Sequence, residues 1–119
     1  MITIGVIGSR KFEDYYHFSN KLMYFISNIK DDIQFVSGGC KSGADNLIKK
    51  YCIENGYNLI EHLPDYEKYK GKVAPLKRNH KIVDDSDMLI AFWNEMSKGT
   101  EYTIKLAQEK GIPIRIVKV

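Results

Sequence analysis

The sequence predicts an α/β fold: a three-layer sandwich in which helices cover both faces of a five-stranded, mainly parallel sheet. Two observations predict it. Short β-branched and aromatic runs alternate with segments whose apolar residues recur every three or four positions, the pattern of β-α-β units with right-handed crossovers. In addition, the first run, Ile2 to Ile7, is apolar almost without interruption, as a strand covered on both faces must be. The length fits one unit: 119 residues are read as a single domain, residues 1–119, able to bury about two thirds of the unfolded surface.

Each element follows from its pattern. After the strand Ile2–Ile7, Tyr15, Phe18, Leu22, Phe25, Ile26 and Ile29 mark one face of a helix. Ile33–Val36 is the second strand. Ala44, Leu47, Ile48, Tyr51 and Cys52 form a second helical stripe, which Gly56 stops in the left-handed conformation. Tyr57–Leu63 is the third strand, and Pro64 opens an irregular segment through Val73. Pro75 suits the first turn of a helix carrying Leu76, Asn79, Ile82 and Val83. Met88–Trp93 is a fourth strand, Thr100–Lys110 a last helix closed by Gly111 and Pro113, and Ile114–Val119 a final strand. The whole is a small Rossmann-like arrangement.

Composition excludes several classes. Hydrophobic residues at 44% and charged residues at 28% describe a folded chain rather than a disordered one. No apolar run approaches the roughly 20 residues of a membrane span. The N-terminal run reads as a strand rather than a signal peptide, so a cytoplasmic location is expected. The two cysteines, Cys40 and Cys52, have no CxxC spacing, and His17, His62 and His80 are scattered. Neither a disulfide framework nor a metal site is expected, and no cofactor is assigned. Cys40 has no locally paired histidine, which favours a loop-lining thiol over a nucleophile. The net charge of +3 implies no partner by itself. Six cations, Lys68, Lys70, Lys72, Lys77, Arg78 and Lys81, nevertheless face the single acid Glu67 between Tyr66 and Val83. That stretch reads either as a solvated face or as an electropositive rim over a phosphorylated ligand.

Ligands of open parallel sheets bind beyond the carboxyl ends of the strands, so the turns there carry the functional argument. Gly8-Ser9-Arg10 follows the first strand and Ser37-Gly38-Gly39 the second. Trp93-Asn94 and then Ser97-Lys98-Gly99-Thr100 follow the fourth. Small residues let backbone N–H groups approach an anion, and a helix N-terminus adds partial positive charge. Three such turns converging on one edge predict an anion or nucleotide site. It is not an ATPase P-loop: Gly38 and Gly43 have the spacing, but Ala44-Asp45 stands where Lys-Ser/Thr must follow. No G-x-G-x-x-G follows the first strand, which disfavours a dinucleotide dehydrogenase. Asp45 reads equally as half of a capping arrangement with Ser42 or as a group that accepts from ribose hydroxyls or acts as a base. Tyr66 and Tyr69 read as a stacking lid or as cover for a sheet edge, and Trp93 as a pocket wall or a core cap.

Together these residues resemble a family. Gly8-Ser9-Arg10-x-Phe12, Ser37-Gly38-Gly39-x-x-x-Gly43-Ala44-Asp45, Arg78-Asn79, Asp87 with Ala91-Phe92-Trp93, and Ser97-x-Gly99-Thr100 occur in this order over about residues 3–117. The chain resembles a minimal member of the SLOG superfamily, in its small stand-alone bacterial and phage branch. That superfamily is named for the Smf DNA-processing proteins and the LOG cytokinin-activating phosphoribohydrolases. The resemblance implies a Rossmann-like fold binding a nucleotide or nucleotide-derived ligand, in members that act as N-glycosidases, sensors or DNA binders. It implies Gly8, Ser9 and Arg10 beside base or phosphate, and Ser37, Gly38 and Gly39 at the ribose-phosphate with Asp45 close by. It also implies Arg78 as a bidentate phosphate clamp, and Ser97, Gly99 and Thr100 holding phosphate at the last helix.

One departure bears on chemistry. The LOG hydrolases carry PGGxGTxxE, and the glutamate position here is Thr103; Glu101 lies two residues off, on another helix face. The reading that follows is a binder or sensor of a nucleoside monophosphate or an ADP-ribose-like molecule. The alternative is a nucleotide N-glycosidase with Asp45 or Glu101 as acid/base. A second alternative is single-stranded nucleic-acid binding by the Lys68–Lys81 stretch with Tyr66 and Tyr69. No membrane partner is expected, and the resemblance makes a homo-oligomer plausible.

Overall fold

A computed structural model describes all residues, 1–119. The elements run β1 (Ile2–Gly8), α1 (Tyr15–Ile26), β2 (Ile33–Ser37), α2 (Gly43–Asn55), β3 (Asn58–Glu61), α3 (Val73–Asp85), β4 (Met88–Trp93), α4 (Lys98–Lys110) and β5 (Ile114–Lys118). All pairings are parallel, in the order β3-β2-β1-β4-β5. No helix is long and apolar enough to cross a membrane.

β1, β2 and β5 differ from the sequence reading by one residue each and α1 stops at Ile26, short of Ile29; three further boundaries differ for reasons the structure shows. β3 is four residues rather than Tyr57–Leu63, because only Asn58–Glu61 finds a partner along β2. α3 begins at Val73, so Pro75 is its third residue, where the missing N–H is one of those that lack an intrahelical acceptor anyway. α4 begins at Lys98, because Ser97 rather than Gly99 supplies its N-cap.

The two layers divide the apolar residues cleanly. α1 and α2 bury Phe18, Leu22, Leu47, Ile48 and Tyr51 against Ile4, Val6, Phe35 and Phe92 on one face of the sheet. α3 and α4 bury Ile82, Val83, Ile104 and Ala107 against Ile7, Val36, Leu89 and Ala91 on the other. Alternate strand residues thus serve opposite cores, which explains why β1 and β4 read as unbroken apolar runs. Asp87, part of the sequence resemblance, pins the start of β1. Its carboxylate accepts from Thr3 N–H at 2.9 Å, and its own N–H donates to Thr3 O at 2.8 Å.

Candidate functional site

The strand order reverses between β1 and β4: the chain leaves β1 toward α1 on one face and β4 toward α4 on the other. Loops that leave an edge in opposite directions open a crevice between them, and ligands bind there. A cavity of about 470 Å³ fills this position. It is lined by Gly8, Ser9, Arg10 and Lys11 from the β1–α1 connection, by Gly38, Ser42 and Asp45, by Arg78, Asn79 and Ile82 of α3, and by Asn94, Ser97, Gly99, Thr100 and Thr103 around the start of α4.

Most of the sequence-predicted residues therefore meet in one place, but the glycine-rich loop after β2 is not an open cradle. Two of its N–H groups are already taken: Gly39 N–H donates to Ser37 Oγ at 3.3 Å and Cys40 N–H to Asp45 Oδ2 at 3.0 Å. The N-terminus of α2 is taken as well, because Gly43 N–H donates to Glu13 Oε1 at 2.8 Å. Two glycines are there for packing. A Cβ on Gly38 would collide with the Arg78 guanidinium, and one on Gly43, which has φ +67°, would strike the backbone of Ser9 and Arg10. Ser37 is fully buried, and neither it nor Gly39 lines the cavity. The expected Ser42–Asp45 capping arrangement does not form, since Ser42 makes no side-chain cap bond and Asp45 turns to Cys40.

Arg78 is also differently employed than a free phosphate clamp. It is 8% exposed. Its Nη1 donates to Gly38 O at 2.5 Å and, more weakly, to His62 O at 3.4 Å, while Nε donates to Asn79 Oδ1 at 2.8 Å. The guanidinium fork fastens α3 to the β2–α2 loop, leaving Nη2 as its one nitrogen without a protein acceptor. Asn79 is fixed in turn. Because Nε–H can only donate, the Asn79 oxygen faces Arg78 and its NH₂ is left for the cavity.

Asp45 is the single acid of the cavity wall, against Arg10, Lys11 and Arg78. Burial pushes its carboxyl above the ordinary 3.8, and the Cys40 N–H, Arg78, the Gly38 N–H and Arg10 pull it back only partly. Burial likewise lowers the pKa of Arg78, with Asp45 opposing. These two charges face each other in a half-dry pocket, each held there by packing as much as by attraction.

The α4 end is the open one. Asn94 Oδ1 accepts from Met96 N–H and Ser97 N–H, both at 2.9 Å, and turns the chain into the helix. Ser97 Oγ accepts from Thr100 N–H at 3.5 Å and from Thr100 Oγ1 at 3.1 Å. The amides of Lys98 and Gly99 precede any intrahelical acceptor, and nothing lies within 4 Å of where a Gly99 side chain would start. Thr103, at the position of the LOG glutamate, is buried with its hydroxyl donating to Gly99 O at 2.9 Å. Glu101 does not line the cavity: it pairs with Lys105 at 3.3 Å on the outer face of α4. Trp93 is also outside it, packed beneath the turn with Nε1 donating to Ser97 O at 3.1 Å.

A second cavity, of about 660 Å³, adjoins the first. It shares Arg10, Pro75, Leu76 and Gly99 with it and adds Tyr66, Gly71, Lys72, Lys98 and Tyr102. Tyr69 stays out, with Lys68 and Lys77 at 5.5 and 5.7 Å from its ring centre. Sequence reasoning missed Tyr102 and Glu13. Neither stands in a turn, and only the packing of α4 on α3 and of the β1–α1 connection on α2 reveals them.

No protein-family model matches the chain, and no curated protein matches it. Among solved structures, DNA processing protein A (DprA) from Streptococcus pneumoniae matches all of this chain with a TM-score of 0.79 at 16% sequence identity. The chain spans about half of that protein, 51% of its length. The likeness shows a shared fold, the Rossmann-like α/β arrangement. A homoserine dehydrogenase from S. aureus matches 98% of this chain and 32% of its own at 14% identity, with a TM-score of 0.41, too loose to argue from.

Proposed function

We propose that this chain binds a nucleotide or a nucleotide-derived small molecule, a nucleoside monophosphate or an ADP-ribose-like compound, and that it acts as a binder or sensor. The observation that carries this reading is the start of α4 opening into the cavity at the β1–β4 switch point. The helix offers two free amides there, Arg10 and Lys11 add charge from the facing loop, and the Asn79 NH₂ offers two further donors. Ile7, Leu76 and Ile82 give a flat apolar base something to lie on. The phosphate belongs at α4 rather than in the loop after β2, where the amides of Gly39, Cys40 and Gly43 already have acceptors within the protein.

Turnover has less support. The glutamate of the LOG hydrolases is Thr103 here, and Glu101 points at Lys105. Asp45 keeps the N-glycosidase alternative in view, because a carboxyl raised by burial can hold a proton for a departing base. Nucleic acid enters through the fold shared with a protein named for DNA processing and through the basic segment that contributes Tyr66 and Lys72 to the second cavity.

Mass spectrometry on the protein after incubation with nucleoside monophosphates, NAD, ADP-ribose and cyclic nucleotides tests these readings together. Intact ligand retained by the protein and lost in Arg10→Ala supports the binder; Arg10 is exposed and makes no hydrogen bond within the protein, so its removal leaves the fold alone. Free base in solution, abolished by Asp45→Asn, makes it a glycosidase. Retention of none of these compounds, with salt-sensitive capture of an oligonucleotide, moves the function to nucleic acid.

A further inference from the structure

We infer that the two adjoining cavities are two subsites for one ligand: a dinucleotide, its bridging phosphate on Arg10 and the start of α4, with one base in each cavity. The inference rests on the nucleotide reading above and specifies the class of nucleotide. Three observations lead to it. First, the cavities meet along a shared boundary in which Arg10 and Gly99 supply the polar side and Pro75 and Leu76 an apolar ridge. A phosphate seated at that boundary has open, lined space on both sides. Each volume falls within the range of about 300–1,000 Å³ typical of small-molecule sites, so each has room for a base.

Second, the two sides differ in the way two bases bound differently would require. The first has the buried Asn79, 9% exposed, whose amide is locked by Arg78 so that only donors reach the cavity. That side reads an acceptor on a base or sugar by hydrogen bonding. The second has no acid in its wall; it has Lys72, Lys98 and the ring of Tyr102. That side holds a base by stacking and takes charge without reading an edge.

Third, the stacking surface is pre-set. Tyr102 Oη lies 2.7 Å from His80 Nε2, and the two rings meet edge to face with centres 5.7 Å apart. This contact ties α4 to α3 and fixes the ring as a wall before any ligand arrives, which removes part of the ordering cost of binding.

The test compares affinities of nucleoside 5′-monophosphates with those of the matching 5′-phosphorylated dinucleotides, and with NAD as the pyrophosphate-linked probe, at one salt concentration. The dinucleotides, or NAD, are expected to bind about tenfold more tightly than the better of their component monophosphates, the increment one stacked base supplies. In Tyr102→Ala that ratio should fall toward one, and in Tyr102→Phe, which keeps the ring, most of it should remain. Which linkage gains decides between phosphodiester and pyrophosphate. Equal affinities for mono- and dinucleotides, or a ratio untouched by Tyr102→Ala, overturn the two-subsite assignment and leave the nucleotide reading standing. Absence of binding by every compound overturns both. A longer homopolymer strand binding far more tightly than the dinucleotide, with a steep salt dependence, also overturns the assignment, because the surface would then continue beyond two bases.

Discussion

Arg78 Nη1 lies 2.5 Å from the carbonyl oxygen of Gly38, 40 residues earlier in the chain, and this bond holds the wall of the cavity in place. The same guanidinium fills the space where a Gly38 side chain would start, so loop and arginine fit only with glycine at that position. Gly38→Ala is therefore expected to destabilise the fold by about 1–3 kcal/mol through overpacking. Arg78→Met should cost more, about 3–5 kcal/mol, since it leaves Gly38 O and the Asn79 amide without their partner and Asp45 without the cation that most offsets its burial. Urea denaturation of both variants checks the order. Near-native midpoints would show that the arginine is a free ligand clamp after all.

Glu13 acts at a comparable distance. Its carboxylate accepts from the first amide of α2, one of those the helix cannot satisfy itself, while Ser42 at the N-cap makes no side-chain cap bond. Glu13→Ala is expected to lower stability by about 1 kcal/mol, from the lost hydrogen bond and the lost negative charge at a helix N-terminus. Ser42→Ala should have little effect. Thermal melts of the two variants decide it, and an equal drop in both would restore the local cap.

These two residues show where the sequence could be read and where it could not. The alternation of strand runs and helical stripes carried all nine elements, because apolar periodicity reports directly on which face is covered. The strand order was not legible, since every pattern in the chain is local and order is a fact about pairing. The convergence of Gly8, Ser9, Arg10, Asp45, Gly99 and Thr100 on one cavity was predictable from the turns after β1, β2 and β4, whereas Asn79, in the middle of α3, came only with the family resemblance. What those turns do individually was not. Ser-Gly-Gly has the same composition whether its amides face a phosphate or are met by Ser37 and Asp45, and the difference depends on Glu13 and Arg78, which belong to other elements. Trp93 and Glu101 fell outside the cavity for simpler reasons: Trp93 packs into the core beneath the Asn94–Ser97 turn, and Glu101 lies on the outer face of α4 with Lys105.

Lys110 illustrates a stabilising contact of the same long-range kind. Its Nζ donates to Val83 O and Asp84 O at 2.8 Å and to Ser86 O at 3.2 Å, satisfying carbonyls at the end of α3 from the last turn of α4. Lys110→Met keeps the stem and removes all three bonds. A loss of about 1–2 kcal/mol is expected, with little effect on ligand affinity because the contact lies at the end of α3 away from the cavity. Chemical denaturation alongside a binding isotherm checks both halves, and a large change in affinity would mean that the α3–α4 packing also shapes the site.

The last prediction concerns pH, and Asp45 determines its sign. Burial raises its carboxyl above 3.8 against the opposing pull of Arg78 on α3, Arg10 on the β1–α1 loop and the loop amides. A group whose pKa is raised in the folded state favours that state when protonated. Its contribution is present below 3.8 and is lost as pH rises through the higher folded value. An anionic ligand in the cavity acts in the same direction, because a phosphate beside the carboxylate makes the proton harder to lose. Binding should therefore take up a proton, and affinity should rise as pH falls toward the folded pKa of Asp45. Asp45→Asn removes the charge at every pH and should flatten that dependence while binding at least as tightly as the native chain does at its acidic limit. A phosphodiester probe is the right ligand, since its single charge does not change over the range and cannot supply the slope itself. Isothermal titration in buffers of different ionisation enthalpy reads the proton directly. Proton release on binding, or an unchanged slope in Asp45→Asn, would show that the ligand's charge does not lie beside Asp45.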